Sequence, residues 1–178
     1  MTETKTIRPI VLWGMMGSGK STVGRLLAAD LQRPFYDLDQ VVSERCDMTI
    51  ECIFSKHGEV FFRKLEHEAL QQILDETPEA VIALGGGTLL QPEVRGHIQK
   101  RAYVITLDAS AGTLEARVGT GQSRPLLKGH SVRERLDTLL ADRKSAYADV
   151  QWRISTDGRT PSDIASDIVQ HVGWEVAA

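Results

Sequence analysis

The sequence predicts an α/β fold organised as one domain around a phosphate-binding loop. Three observations carry that expectation. First, Gly14-Met15-Met16-Gly17-Ser18-Gly19-Lys20-Ser21-Thr22 places Gly14, Gly19, Lys20 and Ser21 at the spacing of a P-loop. Second, the apolar run Ile10-Val11-Leu12-Trp13 before it reads as a strand, and Val23, Leu26, Leu27 and Leu31 after it lie on one face of a helix. Third, Ala80-Val81-Ile82-Ala83-Leu84 is continuously apolar, as a central parallel strand buried on both faces must be. A chain of 178 residues suits one such domain and can bury its core without disulfides or metals.

Composition narrows the function. The net charge is −3, from 21 basic and 24 acidic residues, and no basic block stands out, so nucleic acid is not an expected partner. No apolar stretch approaches the ~20 residues of a membrane span. Met-Thr-Glu-Thr-Lys-Thr at the N-terminus has no apolar core of a signal peptide, so a cytoplasmic protein is expected. Cys46 and Cys52 read as reduced packing residues. The sequence contains no asparagine and no Asp-x-x-Gly motif. That removes the guanine-reading motif of GTPases and the catalytic-loop asparagine of protein kinases. What remains is an adenine-nucleotide protein, either a small-molecule kinase or an ATP-driven machine, and the second usually needs further domains.

Each element has a chemical reading. Glycines in the loop let backbone N–H groups turn inward around phosphate, and the helix starting near Lys20 points its positive end at the same anion. Lys20 can neutralise the β- and γ-phosphates, and Ser21 can offer its hydroxyl to Mg²⁺. Pro34 closes the first helix. Phe35-Tyr36 opens a short strand ending in Asp37-Leu38-Asp39. If the strand persists that far, both aspartates face one side, suited to metal and proton work. Alternatively, one or both cap the next helix.

Residues 40–57 read as short helical pieces, with a break at His57-Gly58. A longer helix then carries Phe62, Leu65, Ala69 and Ile73 on one stripe. Arg63 and Glu66, three residues apart, read as a simple surface ion pair. Gly85-Gly86-Gly87 either bares backbone N–H groups to a ligand or makes a tight turn.

Tyr103–Asp108 is another strand, with Asp108 expected as the N-cap of the following helix rather than as a metal ligand. Residues 119–130 hold Arg124 and Lys128 and read as a lid, or as a solvated connection. The next helix carries Val132, Leu136, Leu139, Leu140 and Tyr147 on one stripe, with Arg143 among them. A guanidinium there needs either an internal carboxylate or an anionic substrate. Trp152-Arg153-Ile154-Ser155 is the last strand, and a final helix follows Pro161 with Ile164, Ile168 and Val172 apolar.

The ordered set now on the page resembles the shikimate kinase family over nearly the whole chain. It comprises the loop at 14–22, Phe35–Asp39, Ile53-Phe54, Gly58-Glu59, Phe62-Arg63 with Glu66, Gly85–Gly87, Arg124-Pro125-Leu126-Leu127, and Arg143 four residues before Tyr147. The resemblance implies a nucleoside-monophosphate-kinase-like three-layer sandwich. Its parallel sheet has five strands in order 2-3-1-4-5, with helices on both faces. It implies ATP-dependent phosphorylation of the 3-hydroxyl of shikimate, a step of aromatic biosynthesis, with Mg²⁺; a monomer is expected.

Carried onto matching positions, Gly17, Ser18, Gly19, Lys20, Ser21 and Thr22 hold ATP, and Lys20, Asp39 and Arg124 are catalytic. Asp39, Arg63, Gly85, Gly86, Gly87 and Arg143 hold shikimate, with Arg63 and Arg143 on its carboxylate. Ser21 and, through water, Asp37 hold Mg²⁺. Arg117 and Pro161 sandwich adenine, with Arg159 nearby. The substrate-binding segment is about residues 39–68 and the lid about 119–130. The chain departs from the family at Val42-Ser43, often Ile-Glu; at Asp47, often Gly; at Gly121-Gln122-Ser123 in the lid; and at the unusual Trp13. Gluconate kinase matches the loop but not the later motifs. A non-enzymatic ATP-binding regulator is the alternative of a different class.

Overall fold

Four apolar residues, Ile10–Trp13, form the central strand β1, and all four are buried. A computed structural model describes residues 7–119 and 131–175. Strands β2 (Phe35–Asp37), β3 (Val81–Ala83), β4 (Tyr103–Asp108) and β5 (Trp152–Ser155) complete a sheet in the order β2-β3-β1-β4-β5. Every pairing is parallel, with Ile10 opposite Val81 on one side and Tyr103 on the other. This is the order that the resemblance implies.

Alternation along β1 divides the core in two. Ile10 and Leu12 pack with Val23 and Leu27 of α1 (Lys20–Leu31) and with Ile164 and Ile168 of α7 (Pro161–Glu175). Val11 and Trp13 belong to the opposite cluster. Its helical members come from α2 (Leu38–Cys46), α3 (Ile50–Glu76), α4 (Pro92–Arg101), α5 (Ala111–Val118) and α6 (Val132–Ala148). Helices therefore cover both faces. Among the described residues, no helix is long and apolar enough to cross a membrane.

Backbone requirements explain several boundaries. The helical run of α3 is interrupted at Gly58, whose φ of 79° no ordinary helix allows, at the break expected there. Helix α2 ends on Asp47 at φ 49°, the left-handed position where the family often carries glycine. Aspartate is among the few side chains that tolerate it. Cys46 ends α2 and Cys52 lies in α3, and both are free.

One expectation needs correction, and one helix goes unread in the sequence. Asp108 does not cap α5. Ser110 occupies the cap and accepts from the Thr113 N–H, while the Asp108 carboxylate accepts from Arg153 on the neighbouring strand. Helix α4 was not read from the sequence at all. Its buried face mixes Ile98 with Arg95, which bonds to Asp149 at 2.7 Å and to the Leu89 carbonyl at 2.9 Å, so its apolar stripe is short and broken by a charge. Pro92 in the first turn and Lys100-Arg101 in the last were the available signal.

Candidate active site

The P-loop leaves β1 at the C-terminal edge of the sheet, where open α/β sheets place their ligands. Gly14, Gly17 and Gly19 all have positive φ. A methyl group on Gly14 would sit 2.3 Å from the Leu107 carbonyl oxygen, which is backbone and cannot yield. Helix α1 begins at Lys20, as expected, so its N-terminal dipole faces the loop. Lys20 Nζ donates to the carbonyls of Gly14 at 3.0 Å and Met15 at 2.8 Å.

Ser21 Oγ donates to Asp37 Oδ2 at 2.6 Å. Asp37 is the last residue of β2 and stands at the N-cap of α2, yet makes no side-chain cap bond there. Asp39 is not on the strand. The chain turns into α2 at the buried Leu38, so Asp39 lies in the first helical turn. A shared strand face is thus overturned for the pair, and so is capping by Asp37. Both aspartates nevertheless line one cleft of about 640 Å³ with residues 17–22 of the loop, Gly85 and Gly86.

Arg117, Arg159 and Pro161 also line that cleft. Arg117 donates to the Thr156 hydroxyl at 3.0 Å and to the Thr156 carbonyl at 2.9 Å, which fixes the plane of its guanidinium. Arg159 donates to Asp167 at 2.6 Å. Arg124 and the rest of the expected lid from residue 120 lie outside the described residues.

Gly85–Gly87 is where the remaining candidates converge. A Cβ on Gly85 would stand 2.6 Å from Glu66 Oε1 and 3.2 Å from Asp39 Oδ1. On Gly86 it would stand 3.0 Å from Arg143 Nη1 and 3.2 Å from the Gly14 carbonyl, and on Gly87 2.3 Å from Arg63 Nη2. Side chains from α2, α3 and α6 thus approach backbone that only glycine leaves bare. Arg63 itself borders a second cavity, of about 680 Å³, between α3 and α4.

The Arg63–Glu66 pair is not a surface pair, because Glu66 is 1% exposed. Glu66 accepts from Arg63 and from the Thr88 hydroxyl, the latter at 2.8 Å. Burial pushes its carboxyl up, and the nearby Asp39 charge adds to that, against the pull of Arg63 and Thr88. Burial also works against the charge of Arg63, but Glu66 and Glu59 outweigh it and raise the group. Arg143 is buried on the apolar stripe of α6, and among the described residues no carboxylate pairs with it. Its guanidinium donates to the Met15 sulfur at 3.5 Å. Burial raises the neighbouring Tyr147 phenol, with Arg143 opposing. Of the two partners the sequence left open for Arg143, an internal carboxylate is therefore not found.

Sequence reasoning gave no function to Glu66, Thr88, Tyr147 or Thr156. The three-residue spacing from Arg63 pointed to Glu66, while Thr156 gave no signal because its target, Arg117, is remote in sequence.

A phosphate loop, a hydroxyl–carboxylate pair beside it, and a second subsite of arginines over bare backbone define a P-loop phosphotransferase with a small anionic acceptor. Residues 16–173 match the family model of shikimate kinase. Shikimate kinase of Geobacter sulfurreducens is 40% identical over 93% of this chain and 91% of its own, and that of Bacillus subtilis 37% identical over 95% and 92%. The structure of Acinetobacter baumannii shikimate kinase in complex with shikimate superimposes with a TM-score of 0.90 at 33% identity, covering 96% of both chains. The chain belongs to the shikimate kinase family. A gluconokinase from Sinorhizobium meliloti, at 17% identity and a TM-score of 0.59, shares the fold alone.

Proposed function

We propose that this chain transfers the γ-phosphate of ATP to the 3-hydroxyl of shikimate, giving shikimate 3-phosphate and ADP for chorismate and aromatic amino acid biosynthesis. The observation that carries the reading is the convergence on Gly85–Gly87. A buried arginine with no carboxylate partner among the described residues, a second arginine and a carboxylate meet there, close to the first glycine of the phosphate loop. That is a site for a small carboxylic acid that also bears hydroxyls.

Each residue has a role in this reading. Backbone N–H groups of Gly17, Ser18 and Gly19, with Ser21 and Thr22, hold the phosphates, and Lys20 offsets the charge that moves during transfer. Arg117 and Pro161 hold adenine, with Arg159 beside them, and Arg124 comes over the transferring phosphate from the segment 119–130. Arg63 and Arg143 grip the acid, Gly85, Gly86 and Gly87 border it, and Asp39 takes its hydroxyl proton.

Ser21 and Asp37 suit Mg²⁺, because both present hard oxygens beside the loop, 2.6 Å apart. Among the described residues no cluster of three carboxylate, His or Cys side chains could hold a metal. Ser21 and Asp37 would hold the ion, which would supply positive charge to the phosphates. The reading extends to a cytoplasmic monomer, and sedimentation of the purified chain checks the second.

A coupled ADP-release assay with shikimate, with gluconate and with no acceptor tests the proposal. Release that depends on shikimate alone is expected. Equal rates in all three arms, or a preference for gluconate, overturn it. Gly87→Ala offers a second test. The added methyl group displaces only the tip of the Arg63 side chain. Shikimate affinity is therefore expected to fall on the order of tenfold through a weakened charge-assisted bond, with ATP affinity nearly unchanged and some loss of thermal stability as the Arg63–Glu66 pair shifts. Titration calorimetry with each substrate reads this directly.

A further inference from the structure

Trp13 ends β1 one residue before the P-loop and is completely buried, so it lies outside the roles assigned above. Its indole Nε1–H donates to the Gly86 carbonyl at 3.2 Å. The Tyr147 hydroxyl donates to the same carbonyl at 2.9 Å. The two rings meet edge to face, with centroids 4.5 Å apart and planes at 76°. Both lone pairs of one glycine carbonyl are thus occupied by side chains of the core.

This arrangement has a consequence for the other side of the peptide. No cis peptide bond occurs among the described residues, so the Gly87 N–H points opposite to the Gly86 carbonyl across one rigid plane. Holding the carbonyl toward Trp13 and Tyr147 turns the Gly87 N–H away from the core. Among the described residues no acceptor meets that N–H. A run of three glycines has the freest backbone available, so an unrestrained Gly86–Gly87 peptide would sample many orientations. Trp13 is also covalently joined to Gly14, whose carbonyl would lie 3.2 Å from a Cβ on Gly86. One large side chain therefore ties the acceptor platform to the start of the phosphate loop.

We propose that Trp13 is a positioning residue for the acceptor. With Tyr147 it locks the Gly86–Gly87 peptide so that the Gly87 N–H is presented to shikimate at a fixed distance from the transferring phosphate. The inference rests on the functional reading above. Either donor alone keeps the carbonyl bonded, so the two back each other up.

The test replaces the donors and keeps the shapes. Trp13→3-benzothienylalanine exchanges the indole N–H for sulfur, Trp13→Phe keeps an aromatic ring, and Tyr147→Phe removes only the hydroxyl. Each single variant is expected to weaken shikimate binding by only about twofold, less than one neutral hydrogen bond, because the remaining donor still holds the carbonyl. The double variant, Trp13→3-benzothienylalanine with Tyr147→Phe, is expected to exceed the product of its singles, because the peptide is then unrestrained. ATP affinity should stay within about twofold throughout, a margin well under one hydrogen bond. A purely structural role would instead lower the unfolding temperature and weaken both substrates alike. Unchanged shikimate binding in the folded double variant, or parallel losses for both substrates, overturns the inference while an active parent chain keeps the functional reading. A parent chain that releases no ADP with shikimate overturns that reading and this inference with it.

Discussion

A Lys20→Ala chain is expected to lose turnover by about a thousandfold or more while keeping its fold. The ammonium group sits inside the curve of the loop, bonded to the Gly14 and Met15 carbonyls at 3.0 and 2.8 Å. Those carbonyls bring it to the place where phosphate charge gathers between the loop and Asp37. As the bond to the γ-phosphorus breaks, negative charge shifts toward the β–γ bridging oxygen, and a cation already in position stabilises that state more than the ground state. Alanine removes the charge. The structural cost is modest: bonds from a charged donor contribute at most about 1.5–3 kcal/mol each, and Lys20 is only half-buried, so the carbonyls regain water. kcat from ADP release and the unfolding temperature separate the effects. Near-normal turnover in a folded Lys20→Ala chain would defeat the phosphate-loop assignment.

What could be read from the sequence followed from how local each constraint is. The P-loop was legible because its glycines, its lysine and the flanking strand and helix all lie within about twenty residues. Arg143 was legible because a guanidinium on the stripe of Leu136, Leu139 and Tyr147 is conspicuous at helical spacing. The same rule hid α4, whose buried face sets Arg95 beside Ile98 and so shows too short an apolar stripe. Glu66 looked like half of a surface pair because its burial depends on Gly85 and Thr88, which lie some twenty residues further along the chain. The sheet order came from the family resemblance, since short apolar runs fix which segments are strands but not which neighbours they choose. Asp108 was misjudged for a purely local reason. Two positions fit a helix N-cap, and the strand continued far enough to give the role to Ser110.

The two aspartates are expected to fail in different ways. Asp37 accepts from Ser21, the residue that follows the loop lysine, and so belongs to the phosphate side of the cleft. Asp39 lies one helical step on, with Oδ1 3.2 Å from where a Gly85 Cβ would be, and so belongs to the acceptor side. Because the strand stops at Asp37, the two carboxylates are held by different elements and can answer to different partners. Asp39→Asn keeps the shape of the side chain but cannot accept the proton that the attacking hydroxyl sheds. General-base contributions of this kind amount to a hundredfold or more. Asp39→Asn is therefore expected to lose at least about a hundredfold in kcat, with a smaller loss of shikimate affinity. Its ATP and Mg²⁺ dependence should match the parent chain. Asp37→Asn removes a charge from the cation's surroundings and should raise the Mg²⁺ concentration for half-maximal activity about tenfold, the penalty typical of disturbing an ion's supporting ligands. Titrating Mg²⁺ and shikimate separately against both variants distinguishes the assignments. A metal defect in Asp39→Asn with a substrate defect in Asp37→Asn would exchange the roles. Full activity in both would leave the two carboxylates as parts of the fold, with proton removal assigned to another group near Gly85.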